Sequence, residues 1–145
     1  MIVPRLPQSS LLAGLICLLI AGAASCERDE QRERERTEAE QLLFAVTALR
    51  EAEGDAKAPR LSALRALPCT APEACELRDS CAQAYALHLR GVDGVRAVRH
   101  ALDTDASAPE LAAKALDQAE KDVVAARRET ARCADLHGAL VRRYR

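Results

Sequence analysis

The chain has 145 residues, with 21 basic and 22 acidic side chains and a net charge of −1. This balance excludes a dedicated nucleic-acid-binding protein, and its three aromatic residues, Phe44, Tyr85 and Tyr144, are too few to stack on bases or sugars. Abundant Ala, Leu, Arg and Glu predict an all-α protein with a single small domain.

The first predicted element is a secretory signal peptide over residues 1–25. Arg5 provides a positive start, an apolar run of fourteen residues extends from Leu11 to Ala24, and small residues precede Cys26. A membrane-spanning helix needs about 20 apolar residues, and the charged residues from Glu27 onward end this run too early. The segment is therefore expected to be removed or to remain as a short anchor.

Residues 23–26, Ala-Ala-Ser-Cys, resemble the lipobox of bacterial lipoproteins. In that family the cysteine is diacylated on sulfur, the lipoprotein signal peptidase cuts before it, and its new amine is acylated. The resemblance implies that Cys26 is the lipidated first residue of the mature protein, although Ala23 stands where the family usually has Leu. The alternative is an ordinary secretory signal cut after Ala23 or Ser25, which leaves a soluble protein.

Lipidation would place the mature protein in the cell envelope, facing the periplasm. Two or three acyl chains anchor a protein stably, where one does not. By resemblance to lipoprotein sorting in enterobacteria, Glu27 is not the Asp that retains a lipoprotein in the inner membrane, so the outer membrane is expected.

Residues 26–40 are predicted to be a charged, partly helical tether, because opposite charges recur four residues apart. The helical domain is predicted over residues 41–145. Its first helix places Leu42, Val46 and Leu49 on one face, and Gly54 fits the C-terminal cap position.

A short helix is predicted from Pro59 to Leu67, ended by Pro68. Capping boxes at residues 70–73 (Thr-Ala-Pro-Glu) and 107–110 (Ser-Ala-Pro-Glu) predict the starts of two long helices. In such a box the hydroxyl accepts a hydrogen bond from one free amide, and the Glu reaches back to another.

The two long helices are predicted to form an antiparallel hairpin about a turn at residues 104–106. Gly91 and Gly94 predict a bend in the first helix. Its predicted inward positions are Leu77, Cys81, Ala84, His88, Val95, Val98 and Leu102. The second helix carries a coiled-coil heptad pattern at Ala112, Leu116, Ala119, Val123, Ala126, Thr130, Cys133, His137 and Leu140.

Four cysteines remain beyond Cys17 and Cys26, and an even number in an exported chain predicts two disulfides. The hairpin register allows either Cys75 or Cys81 to reach Cys133. The inward stripe favours Cys81–Cys133 and leaves Cys69–Cys75, while the other pairing is Cys75–Cys133 with Cys69–Cys81. Their spacing is not one that zinc sites use, so no metal site is predicted.

The sequence shows no catalytic residues, and a non-enzyme without a cofactor is predicted. The hairpin register keeps His88 apart from His137, and neither these two histidines nor His100 has a Ser or Thr nucleophile brought near it. The glycines form no phosphate-binding loop.

These observations predict a lipid-anchored cell-envelope protein with a non-enzymatic binding or structural role. Its expected partners are the membrane, through the lipid, and an envelope protein or peptidoglycan. One alternative follows from Tyr144-Arg145, which resembles the end of murein lipoprotein, an Ala-rich helical spacer joined to peptidoglycan through a final Lys that this chain lacks. The other alternative is a secreted, soluble periplasmic helical protein with an unrecognised activity.

Overall fold

The computed structural model describes the backbone of residues 9–104 and 109–144, and the side chains of residues 27–104 and 109–144. Within these ranges the chain forms four α-helices, one short 3₁₀ helix and no strand. The helices are α1 (Ser9–Glu51), α2 (Lys57–Ala66), α3 (Pro72–Thr104) and α4 (Pro109–Tyr144), and the 3₁₀ turn is Gly54–Ala56. The predicted all-α fold, with its long helical pair and two disulfides, is confirmed. The side chains of residues 1–26, including Cys26, lie outside the described residues.

The predicted tether forms a continuous part of α1 and is mostly exposed over residues 27–36. Its charges pair along the helix, as between Arg34 and Glu30 at 3.0 Å. Such exposed pairs contribute only a few tenths of a kcal/mol each. The described residues up to Arg36 belong to one compact unit and those from Thr37 onward to another, and burial on the described part of α1 begins at Ala39.

The core of the second unit gathers at one end of the hairpin. Leu42, Val46 and Leu49 of α1 are buried there, as the sequence predicted, together with Leu61 and Leu64 of α2. From the long helices the core takes Ala74, Leu77, Cys81, Ala82, Ala86, Cys133 and Leu140. Among the described residues, this core includes none of α3 beyond Ala86 and none of α4 before Cys133.

The contact between α3 and α4 uses one position in each heptad of α4. Every seventh residue is buried, namely Ala112, Ala119, Ala126, Cys133 and Leu140. The other predicted heptad position lies at the margin, where Leu116 is 48% exposed and Thr130 is exposed.

On α3, the predicted inward positions Leu77, Cys81, Ala84 and Val98 are buried. The prediction is wrong for His88, Val95 and Leu102, which are exposed. The physical reason is that small residues let the backbones of α3 and α4 approach closely, so the buried stripe on α3 is narrow. No core residue lies beside this stripe at the three exposed positions.

Gly91 and Gly94 account for that close approach, and α3 continues through both without a break. A Cβ atom at Gly91 would lie 2.6 Å from Val123 Cγ2 and 3.2 Å from the Ala119 carbonyl oxygen. A Cβ at Gly94 would lie 3.0 Å from the Ala119 Cβ. These glycines therefore serve helix packing.

The two disulfides have the pairing that the inward stripe favoured. Cys81 and Cys133 join α3 to α4 with their Cα atoms 4.8 Å apart. Cys69 and Cys75 tie the α2–α3 link to the first turn of α3, with their Cα atoms 5.3 Å apart. The hairpin register is also marked by ion pairs between Glu76 and Arg132, at 2.7 Å, and between Arg90 and Asp122, at 3.2 Å.

The predicted capping box at the start of α3 is wrong, because the cap comes from another helix. Glu38 of α1 accepts hydrogen bonds from the Thr70 amide at 2.8 Å, the Ala71 amide at 3.1 Å and the Thr70 hydroxyl at 2.8 Å. Glu73 instead pairs with Arg143 of α4. The Glu38 carboxylate lies at the positive end of α3 and accepts hydrogen bonds from more donors than Glu73 would. The interhelical cap therefore forms in place of the local one. The second capping box includes residues outside the described ranges, as does the predicted turn.

The end of α1 is also capped from outside the helix. Gly54 has a left-handed φ of +51°, but it begins the 3₁₀ turn and does not cap α1. Lys57 donates hydrogen bonds to the carbonyl oxygens of Arg50 and Ala52. Its ammonium thereby satisfies carbonyls at the negative end of α1. Lys57 is also the first residue of α2, two residues before the predicted start at Pro59.

Replacing Glu38 by Gln should lower the free energy of unfolding by about 1 kcal/mol at pH 7, the usual value of a helix cap. Burial opposes ionisation of Glu38, but the hydrogen bonds from Thr70 and Ala71 and the charge of Arg78 outweigh it and lower its pKa below the usual 4.5. A lowered pKa stabilises the fold above the unfolded-state value and loses that contribution as the pH falls through the folded-state value.

Urea unfolding of the wild type and of Glu38→Gln should therefore differ at pH 7 and converge below the lowered pKa. Glu51→Gln, which changes an exposed carboxylate on the same helix, is the control and should alter stability little at either pH. An undiminished difference at the lower pH would contradict the role of the Glu38 charge.

Candidate functional site

The structure does not assemble the histidines into a site. His88 and His100 are exposed on α3, and His137 is half-buried on α4. Burial lowers the pKa of His137, and the positive charge of Arg50 lowers it further, which favours the neutral imidazole. Across the described residues, no three His, Cys, Asp or Glu side chains are arranged to hold a metal ion.

The most distinctive surface feature is Phe44, the single phenylalanine of the chain, which is 75% exposed on α1. It lies two residues from Leu42, about 200° around the helix, and so on the opposite side from the buried stripe. The sequence identified Phe44 as the one large aromatic residue of the first helix but not as part of a site, although its angular position was the available signal. Single exposed apolar residues are common on protein surfaces, so Phe44 becomes a candidate site only together with the grooves beside it.

On one side of Phe44 lies a groove between α1 and α2, here called the α2 groove. Its volume is about 270 Å³. Small side chains from both helices open it, and Arg60 is its charged residue. The lining consists of Gln41, Phe44, Ala45, Ala48, Arg60, Ala63 and Leu67.

On the other side lies a groove between α1 and α4, here called the α4 groove, with a volume of about 380 Å³. Its ionisable side chains include Glu40 and His137. The Thr47 hydroxyl donates a hydrogen bond to the Leu43 carbonyl oxygen at 2.9 Å, so its proton does not need a partner from a ligand. The lining consists of Glu40, Leu43, Phe44, Thr47, His137, Val141 and Tyr144.

Phe44 therefore projects between the α2 groove and the α4 groove and lines both of them. Phe44 and these two grooves are together called the Phe44 surface. Residues 41, 45 and 48 descend from Phe44 into one groove, and residues 40, 43 and 47 descend into the other. Grooves with apolar lining residues are the kind of surface into which a partner protein can dock an apolar face or side chain. The Phe44 surface offers shape and apolar contact for recognition.

Three further observations bear on the sites predicted from sequence. The disulfide cysteines are paired with one another, as described above. Cys26 lies outside the residues whose side chains are described. No helix in the described part of the chain is long and apolar enough to cross a membrane.

The α4 end carries the remaining sequence feature, Tyr144. It lines the α4 groove and packs against the core, and the Arg143 guanidinium lies 5.6 Å from its ring centre. Arg143 also pairs with Glu73 of α3, so this end of α4 is held to the domain.

Comparisons with protein-family models, curated proteins and solved structures gave no match.

Proposed function

We propose that this protein is a lipid-anchored component of a bacterial cell envelope with a non-enzymatic binding role, exercised through the Phe44 surface. The observation that carries the proposal is the Ala-Ala-Ser-Cys sequence at residues 23–26, which follows an apolar run and precedes a charged segment. The expected site is the periplasmic face of the outer membrane, with the acyl chains on Cys26 as the anchor.

The disulfides support export from the cytoplasm. Paired cysteines persist in oxidising compartments such as the periplasm and are rare in reducing ones. This domain has two bridges, and Cys81 in the second is completely buried in the core. A small domain of this kind gains much of its stability from such bonds.

The Phe44 surface supports a binding role. Burying a phenylalanine side chain is worth about 1.5–3 kcal/mol, and Phe44, with three quarters of its surface exposed, gains little of this in the isolated domain. The same burial would be available to a complex. The spacer alternative has weaker support, because Tyr144 packs against the core and lines the α4 groove.

Intact-mass measurement of the protein from its native membrane should find a chain beginning at a Cys26 that carries two or three acyl groups. Cys26→Ala should accumulate as uncut precursor, because the lipoprotein signal peptidase requires the modified cysteine. Cys17→Ala is the matched control and should be processed normally. A mature chain that begins at Ala24 or Cys26 without acyl groups would overturn the proposal, and recovery in the inner membrane would overturn the outer-membrane placement.

A further inference from the structure

The two disulfides differ in how easily a reductant can reach them. Cys81 is completely buried and Cys133 is 6% exposed, and their bond lies within the core between α3 and α4. Cys69 and Cys75 are only half-buried. A thiolate that reduces a disulfide must reach one of its sulfur atoms, so access decides which bond opens first. The bond between Cys69 and Cys75 is therefore the reducible one.

The domain keeps its main connections when this bond opens. It joins residues only 6 positions apart, at the start of α3. The bond between Cys81 and Cys133 still joins the two long helices, and buried leucines still hold α1 and α2 against them. Selective reduction would thus loosen one segment of the domain and leave the helical fold in place.

The loosened segment is the link between α2 and α3, residues 67–71, which lies beside the α2 groove. Leu67 begins this link, packs against the core and lines the α2 groove together with Phe44. Cys69 follows in the same link and is bonded to Cys75 in the first turn of α3. The bond therefore restrains the part of the chain that forms one wall of the groove.

Hydrogen bonds also hold the link, but none of them is as strong as a covalent bond. Arg78 donates to the Leu67 carbonyl oxygen at 3.0 Å, and Glu38 accepts hydrogen bonds from Thr70 and Ala71. Thr70 is exposed and Ala71 is half-buried, so water can replace these partners when the link moves. Loss of a crosslink that closes a short loop raises the population of the open states of that loop.

We infer that the Cys69–Cys75 bond is a redox switch for the α2 groove, opened by a protein dithiol while the Cys81–Cys133 bond stays closed. Reduction releases the link and with it the Leu67 wall of the groove. Because the α2 groove belongs to the Phe44 surface, the switch regulates the binding site of the proposed function and rests on that function.

The reduction is a thiol–disulfide exchange in two steps. A thiolate of the dithiol attacks one sulfur of the bond, and the other sulfur leaves as a thiolate that takes up a proton. The second thiol of the dithiol then displaces the attached cysteine. The dithiol is thereby oxidised to a disulfide, and its two electrons and two protons leave Cys69 and Cys75 as thiols.

The first test treats the purified protein with reduced thioredoxin, a protein dithiol, and alkylates the free thiols before peptide mass mapping. We expect Cys69 and Cys75 to become alkylated at least about tenfold faster than Cys81 and Cys133, because the buried bond opens only with the core. Equal rates or faster opening of the buried bond would overturn the inference. So would loss of the helical circular dichroism signal when only the Cys69–Cys75 bond is open.

The second test observes the groove itself by fluorine NMR. The chain has one phenylalanine, so 4-fluorophenylalanine supplied during expression labels position 44 alone. Phe44 and Leu67 line the same groove, so the resonance should shift when the Cys69–Cys75 bond is reduced. The double variant Cys69→Ala/Cys75→Ala is the matched control. Its resonance should lie near the reduced position from the start, and thioredoxin should not move it.

A wild-type resonance that selective reduction leaves in place would overturn the switch. Both measurements can be made with or without acyl groups on Cys26. A failed switch would therefore leave the proposed anchor standing, and an unacylated Cys26 would contradict the anchor and leave the switch standing.

Discussion

Replacing Cys81 and Cys133 together by alanine should lower the free energy of unfolding by about 4 kcal/mol. The bond joins residues separated by 52 positions, and a crosslink that closes a long loop removes much conformational entropy from the unfolded chain. Both cysteines are buried between α3 and α4, so the variant also loses packing at the centre of the core. Urea unfolding with circular dichroism detection would measure the change.

The matched control is the double replacement of Cys69 and Cys75, whose bond spans only 6 positions. The same relation gives about 2 kcal/mol for that loop, roughly half the effect. Both pairs are replaced by alanine, so neither variant leaves a free thiol. If the Cys69/Cys75 variant were the less stable of the two, loop closure would not be the main contribution of these bonds.

The sequence contained most of the helix boundaries, because Pro72, Pro109 and the alternation of apolar residues act locally. It also indicated which face of α3 carries Cys81. The sequence did not reveal the Glu38 cap, because Glu38 and Thr70 are 32 residues apart and meet only after α1 packs beside α3. A local capping box at residues 70–73 was the best available interpretation without that contact.

The errors at His88, Val95 and Leu102 have a related cause. Helical periodicity places them near the inward stripe, but the width of a buried stripe depends on how closely the partner helix approaches. Gly91 sets that distance, and no feature of α3 alone shows that α4 lies against it. The candidate site was partly visible, because Phe44 lies opposite the buried stripe, but the grooves beside it require the positions of α2 and α4.

Replacing Gly91 by alanine should lower the free energy of unfolding by up to about 2 kcal/mol, although alanine is the better helix former by about 1 kcal/mol. The new Cβ would lie 2.6 Å from Val123 Cγ2 and 3.2 Å from a backbone oxygen of α4, so side chain and backbone would both have to move. Valine in a helix has essentially one favoured rotamer, and overpacking a tight contact typically costs 1–3 kcal/mol. Chemical denaturation would measure the loss.

Gly138→Ala on α4 is the matched control and should have the opposite sign. The nearest atom to its Cβ would be the Arg142 guanidinium nitrogen at 3.3 Å, the far end of a flexible side chain. Little opposes the gain in helix propensity there, and stability should rise by about 0.5–1 kcal/mol. Adding Val123→Ala to Gly91→Ala should recover more stability than independent effects would allow, because it removes the closer obstacle. A stabilising Gly91→Ala would show that α3 and α4 lie farther apart than these contacts require.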